Sequence, residues 1–301
     1  MKTKLSFTVT SAILLLLSAC GMTVVSGSGK IVEEARNVHA YSQIVFSAPG
    51  ELTLEQNGQE GLVIEGEDNL LGYIQTRVQG NVLYIEVEPD MMLLYPSRPI
   101  RYSLDVGALT SVTLSGSGDI RADELLASNL DFDLNGSGRI LINAVKSQAT
   151  GLDLNGSGEY QLGNLVTGQL TASLNGSGNM LIQEAIAKTA TVGIDGSATM
   201  NVTDVVADTL NVTINGSGDS TLAGKVNEQT IAIHGSGSYR ARDLQSQMTD
   251  IKVFGSGDSS IWVTDDLSLT IAGSGDISYH GRPSITTKIT GSGDLINLAR
   301  Q

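Results

Sequence analysis

The sequence predicts an all-β chain wound as a single-stranded parallel β-helix, with rungs of about 20 residues. Three observations carry that prediction. The tripeptide Gly-Ser-Gly, once Gly-Ser-Ala, recurs with first glycines at Gly116, Gly136, Gly156, Gly176, Gly196, Gly216, Gly235, Gly255, Gly273 and Gly291. The steps are 20 residues, except 19 before Gly235 and 18 before Gly273 and Gly291. Apolar and polar residues alternate on either side of each tripeptide, which is the period of a strand. No helical pattern intervenes to supply crossovers, so successive strands must stack in parallel. Parallel crossovers are overwhelmingly right-handed, and the hexapeptide pattern of left-handed coils is missing, so the right-handed form is favoured. A β-sandwich would not need one turn sequence ten times.

Composition agrees with this reading. The 301 residues include 35 glycines, 5 prolines and only 4% aromatics, which suits short strands and tight turns around a thin aliphatic core. Each rung of a solenoid contacts only its neighbours, so the whole length is read as one elongated domain.

Residues 1–19 read as a signal peptide. Met1-Lys2-Thr3-Lys4 is basic, Ala12-Ile13-Leu14-Leu15-Leu16-Leu17 is apolar but too short to span a membrane, and Ser18-Ala19 precede Cys20. Leu17-Ser18-Ala19-Cys20 resembles a bacterial lipobox. That resemblance implies that Cys20 is diacylated as the mature N-terminus, and Gly21 in place of aspartate implies an outer-membrane destination. Cys20 is the only cysteine, so no intramolecular disulfide or thiolate metal cluster is possible. The whole chain carries 18 basic and 32 acidic side chains; losing Lys2 and Lys4 with the leader leaves 16 against 32, a net charge of −16. That balance argues against nucleic acid and against charge-driven binding of anionic lipid heads.

Residues 20–30 read as a lipid-anchored tether, in which Gly27-Ser28-Gly29 copies the repeat without its alternating flanks. Residues 31–110 read as irregular opening rungs and a cap, with short alternating strands such as Ile44-Val45-Phe46, Glu51-Leu52-Thr53-Leu54 and Ile100-Arg101-Tyr102-Ser103-Leu104. Pro49-Gly50 stands where later turns have Ser-Gly. The apolar stretch Met91-Met92-Leu93-Leu94-Tyr95-Pro96 is expected to pack over the end of the core, and covering that first edge prevents strand addition by another chain.

Residues 111–301 form the regular rungs. Leu130, Phe132, Leu134, Ile140 and Ile142 should point inward, stacked on Leu152, Leu154, Tyr160 and Leu162 of the next rung and on Leu170, Ala172, Leu174, Met180 and Ile182 beyond it. Asn135, Asn155, Asn175, Asn215 and Asp195 precede the turn glycines; these residue types tolerate positive φ and, stacked at the rung spacing, can form an amide ladder. Ala198 in place of a second glycine indicates that this position does not always need positive φ.

Three stretches carry a resemblance to a known family: Ile64-Glu65-Gly66-Glu67-Asp68-Asn69-Leu70-Leu71, Leu114-Ser115-Gly116-Ser117-Gly118-Asp119-Ile120 and Ile271-Ala272-Gly273-Ser274-Gly275-Asp276-Ile277. The chain resembles, from about residue 35 to 298, the head GIN domain family of auto-transporter adhesins of the bacterial envelope. The resemblance implies a pectin lyase-like β-helix and a role in adhesion, with no catalytic residues to carry over.

Two outward columns are candidate sites. One follows the turns and ends in Asp258, Asp276 and Asp294. Carboxylates about 4.8 Å apart in water repel by only about 0.9 kcal/mol, so a calcium or magnesium ion is permitted there but not required. Solvated aspartates accepting turn N–H groups are the alternative. The second column holds Arg242, Trp262 and His280. Alternation puts Trp262 outside between Ile261 and Val263, where it could stack on a sugar ring or hold Arg242, unless the C-terminal tail buries it. The histidines His39, His234 and His280 are scattered, and no nucleophile or metal spacing emerges, so an enzyme and a bound cofactor are not expected. The function that follows is a non-catalytic cell-envelope lipoprotein, acting as an adhesin for a glycan or a surface or matrix protein. Alternatives are a periplasmic structural or assembly module and, third, a polysaccharide-active enzyme.

Overall fold

The computed structural model describes residues 23–88 and 92–298; the expected signal peptide and Cys20 lie outside them. In chain order the opening strands are β1 (Thr23–Ser26), β2 (Ile31–Arg36), β3 (Gln43–Phe46), β4 (Glu51–Glu55), β5 (Gly61–Glu67), β6 (Ile74–Gln79), β7 (Val82–Val87), β8 (Met92–Tyr95) and β9 (Arg101–Asp105). The regular strands are β10 (Ser111–Gly116), β11 (Asp119–Leu126), β12 (Asn129–Gly136), β13 (Arg139–Lys146), β14 (Ala149–Gly156), β15 (Glu159–Gly176), β16 (Asn179–Gly196), β17 (Thr199–Gly216), β18 (Asp219–Gly235), β19 (Ser238–Gly255) and β20 (Ser259–Ile271). A shorter rung contains β21 (Ile277–His280) and β22 (Ser284–Ile289), and β23 (Leu295–Asn297) starts the next, paired in parallel with β21.

From β10 onward each strand pairs in parallel with the one a rung later, Val112 with Phe132, Phe132 with Leu152, Leu152 with Ala172. The molecule is therefore a β-solenoid of stacked parallel rungs. The inward residues expected from alternation are buried, from Leu130 and Phe132 to Met180 and Ile182. Alternation fails at two points in each rung, where consecutive residues both face out. In the rung of β15 these are Gly163-Asn164 and Gly168-Gln169, between buried Leu162, Leu165, Thr167 and Leu170. With the Gly-Ser-Gly turn they make three corners, so the coil has three faces, and Leu125, Val145 and Leu165 supply a third inward column.

The turns divide the work between two glycines. From Gly116 to Gly255 the first has positive φ, +128° at Gly156 and +117° at Gly216, a backbone region that residues with a Cβ rarely adopt. The preceding asparagines do not share it, since Ala40 is the one non-glycine with positive φ among the described residues; their role is the ladder, with Asn155 donating to Asn135 at 3.1 Å and Asn175 to Asn155 at 3.0 Å. Further along, the same column becomes a ring stack, His234 on Phe254 with centroids 5.1 Å apart. The second glycine is selected for space: a Cβ on Gly158 would meet the carbonyl oxygen of Gly138 at 2.7 Å. Ala198 is fully buried at that position.

The opening section closes one end of the coil. β3 and β4 pair in parallel with β10 and β11 on one side and with β7 and β9 on the other. Antiparallel pairs β2–β5, β5–β9 and β6–β7 then lie across that end. Pro49-Gly50 does act as the first turn, the Gly50 carbonyl accepting the N–H of Asp119 at 2.9 Å.

The tether expected over residues 20–30 is docked from Thr23 onward. β1 pairs in parallel with β8, and Gly27 donates its N–H to the Tyr95 carbonyl at 3.0 Å. Within the stretch expected as a cap, Leu94 is buried, but Leu93 and Tyr95 face solvent at 48% and 69% exposure, beside Val24 at 56%. Buried Glu67 holds this segment: its carboxylate accepts the Ser97 hydroxyl at 2.7 Å, the Ser97 amide at 3.0 Å and the Gly29 amide at 2.7 Å. Ser28 adds a bond to Asp68 at 2.7 Å and Lys30 an ion pair with Asp68 at 3.0 Å. The Ser97 hydroxyl, then the Ser97 amide, hold the Glu67 carboxyl below the usual carboxylate range, against the opposing effect of burial. A depressed folded-state value means that this contribution is present above the unfolded carboxylate range and is lost as pH falls through the lower folded value. Hydrogen exchange at Gly27–Lys30, corrected for intrinsic rates, should therefore accelerate on acidification through that value. Glu67→Gln should exchange fast at neutral pH and lose the step; a step retained in the variant assigns it to another group.

Candidate functional site

One corner of the coil carries a groove. It follows the buried residues Ala122, Ile142, Leu162, Ile182 and Val202, where Asp123-Glu124, Gly163-Asn164, Gln183-Glu184 and Thr203-Asp204 turn the chain outward. Two hollows open there. The larger, about 1060 Å³, is lined among others by Thr53, Arg121, Asn143, Gln161, Asn164 and Gln183. The smaller, about 400 Å³, is lined by Asn201, Thr221, Arg240, Arg242, Asp243 and Ser260, among others. Strand register joins them: Thr53, Arg121, Leu141, Gln161, Leu181, Asn201, Thr221, Arg240 and Ser260 are successive partners in one outward column.

Some lining groups are already committed. Asn143 donates to Asp123 at 2.9 Å, and the Gln56 amide clasps the Leu126 backbone at both N–H and carbonyl, 2.6 and 3.0 Å. Arg240 pairs with Asp219 at 3.0 Å. The exposed amides of Gln161, Asn164 and Gln183 make no hydrogen bond among the described residues. The rungs also change length at this corner. Register shifts between Val202 and Val205, between Thr221 and Ala223, and between Ala241 and Gln245, which places the shortened step before Gly235 on the groove.

Of the three aromatic-column residues, the structure brings two together. Trp262 and His280 are direct partners on adjacent strands, and Trp262 is outward and partly exposed between buried Ile261 and Val263. Arg242 is not beside them. The register jump pairs Trp262 with Gln245, so Arg242 lines the smaller hollow instead. Straight counting in steps of 20 hid the extra residues that β19 carries at that corner. Beneath Trp262 lies a buried polar network that sequence reading missed: Tyr239 donates to Gln229 at 2.8 Å, Gln229 to Ser246 and Thr249 at 3.0 and 3.1 Å, and Ser246 to the Trp262 carbonyl at 3.0 Å. Its signal was available, because Gln229, Ser246 and Thr249 occupy inward positions where other rungs carry aliphatic residues.

The aspartate column works along the chain direction. Asp258 accepts the backbone N–H of Asp276 at 2.9 Å, and Asp276 that of Asp294 at 2.8 Å. Each carboxylate thus caps the turn of the following rung. Among the described residues no group of three or more His, Cys, Asp or Glu is arranged to hold a metal ion. At the other end of the column Arg139 grips Asp119 with two bonds of 3.1 and 2.6 Å. Asp133 is the carboxyl raised above its usual range, by burial first and then by the neighbouring charge of Asp153; it lies on a different face and lines neither hollow.

With the coil and its corners described, comparison with known proteins gives one family. The model of the family described as "Putative auto-transporter adhesin, head GIN domain" matches residues 40–207 and 200–283. The chain belongs to that GIN-domain family. The description of that family is of an adhesin. The GIN domain is similar in fold to a putative adhesin from Parabacteroides merdae ATCC 43184, at 21% identity, TM-score 0.55, over 92% of this chain and 99% of that one. It is likewise similar to a putative adhesin from Parabacteroides distasonis ATCC 8503, at 22% identity, TM-score 0.54, over 91% of this chain and 100% of the other. No curated protein matches the chain.

Trp262 is the only tryptophan of the GIN domain, so its fluorescence reports on this site alone. Trp262→Ala should weaken glycan binding while moving the melting temperature by no more than about 2 °C, because the ring faces outward. Unchanged binding, or a large loss of stability, would remove the residue from the site.

Proposed function

We propose that this GIN-domain chain is a non-catalytic cell-envelope lipoprotein, anchored through Cys20, that presents its solenoid as an adhesin or surface-binding module. Family membership supports an exported or cell-envelope protein of adhesin type. The observation that carries the finer reading is the docking of β1. The first described strand starts at Thr23, three residues after the cysteine of the lipobox, so the chain between lipid and that strand reaches at most about 10 Å. The ribbon of β1 and β8, a few residues from that anchor, exposes Val24, Leu93 and Tyr95. The capped end of the coil is thereby the membrane end, and the regular rungs with their groove extend away from it. A rod held at one end presents its long faces to a partner outside. Outer-membrane placement follows from Gly21 after the cysteine.

Antibody labelling and protease shaving of intact cells test the reading. Labelling of intact cells, lost from the cell fraction in Cys20→Ser, is the expected result. Labelling only after the outer membrane is permeabilised would overturn the adhesin and favour a periplasmic assembly module.

A further inference from the structure

We propose that the corner groove is a binding channel for a neutral linear polysaccharide lying along the coil axis. This proposal rests on the surface-binding reading above, to which it adds the ligand class and the site. The column from Thr53 to Ser260 crosses eight rung steps, about 38 Å at a rung spacing of about 4.8 Å. That repeat is close to the length of one pyranose unit, so successive sugars meet equivalent positions on successive rungs.

The lining matches sugar hydroxyls. Gln161 and Asn164 on one rung and Gln183 on the next present amides that both donate and accept, with none of these groups spent on bonds among the described residues. Asn201, Thr221 and Ser260 continue the column with an amide and two hydroxyls. Ser260 is two residues before Trp262 on the same outward side of β20, so an aromatic ring stands at the end of the channel, where a sugar face can stack. The charges favour a neutral chain. Glu55, Asp123 and Glu124 outnumber Arg121 in the larger hollow, and in the smaller one Arg240 is matched by Asp219 and the charge of Arg242 is balanced by that of Asp243.

An extended polypeptide fits less well. Strands β11 to β20 are paired on both edges along the groove, so there is no free edge for strand addition, the main way a sheet captures a peptide. Leu141 and Leu181 are the apolar side chains of the outward column across its middle, and both are already half-buried. Polypeptide side chains would find few apolar pockets. The concentration of rung-length changes at this corner agrees with a binding role: three of the four register shifts among the regular strands fall here, and the fourth, between Ser246 and Met248, falls at the next corner.

The test is calorimetric titration of the soluble Cys20→Ser chain with hexasaccharides of cellulose, mannan, xylan and chitin type, and with gelatin as the polypeptide probe. We expect at least one of the four hexasaccharides to bind, and its disaccharide to bind at least about tenfold more weakly because it spans fewer rungs. Gln161→Ala combined with Gln183→Ala should weaken binding about tenfold, the loss expected for two exposed hydrogen bonds. Gln169→Ala, exposed on another corner, should bind as the parent does. The proposal is overturned if none of the four binds, if the double variant binds normally, or if gelatin is the probe whose binding the double variant abolishes. These outcomes are separable from display. A chain that binds in solution but cannot be labelled on intact cells contradicts the adhesin alone, and a displayed chain that binds no glycan contradicts the channel alone.

Discussion

The carbonyl of each first turn glycine accepts the serine N–H of the next rung, at 2.9 Å from Ser137 to Gly116 and from Ser157 to Gly136, and at 2.8 Å from Ser197 to Gly176 and from Ser217 to Gly196. This repeated bond fixes the rest of the coil. It brings turn backbone onto turn backbone so closely that a Cβ on the first glycine would sit 2.5 Å from the carbonyl oxygen below at Gly156, and 2.6 Å at Gly196 and Gly216. Once the turns are stacked, the register of the strands between them is set. Inward columns then run unbroken along the axis, and burial in one rung depends on its neighbours, as solenoid stability requires.

The same constraint explains what the sequence made legible. A strand has a period of two, so Leu130, Phe132, Leu134, Ile140 and Ile142 could be placed inside from alternation alone, and all five are buried. Leu125, Val145 and Leu165 escaped because each follows two outward residues at a corner, where alternation loses phase. The total step between turns is visible in the sequence, but the place where a residue is dropped or added is not. Arg242 was therefore assigned to the wrong neighbour, and the groove, which depends on the angle of a bend, had no residue-type signature. The docking of Thr23–Ser26 is a pairing with a strand far along the chain. Its only local trace was the run Glu67-Asp68-Asn69, polar groups whose partners lie on the segment first read as tether.

Function separates from the motif that dominates the sequence. Gly-Ser-Gly is consumed by turn geometry: its amides and carbonyls bond from rung to rung, and its neighbouring asparagines bond to one another. Asp258 and Asp276, which follow two of the last turns, are likewise engaged with backbone N–H groups. What is left for a partner is the corner where outward amides are unspent and where rung length changes. A regular scaffold with most of its variation gathered at one edge can hold an extended ligand in fixed register while differing from position to position along it.

The ladder account makes a sharp distinction between the two glycines of a turn. Gly156 combines positive φ with a carbonyl oxygen below it, whereas Gly158 needs only space, and Ala198 shows that its column can admit a methyl group. Chemical denaturation of Gly156→Ala and Gly158→Ala measures that difference directly. Gly156→Ala should lose more stability, by about 1–3 kcal/mol beyond Gly158→Ala, the cost of a strained backbone conformation. Equal losses, or a larger loss at Gly158, would contradict it.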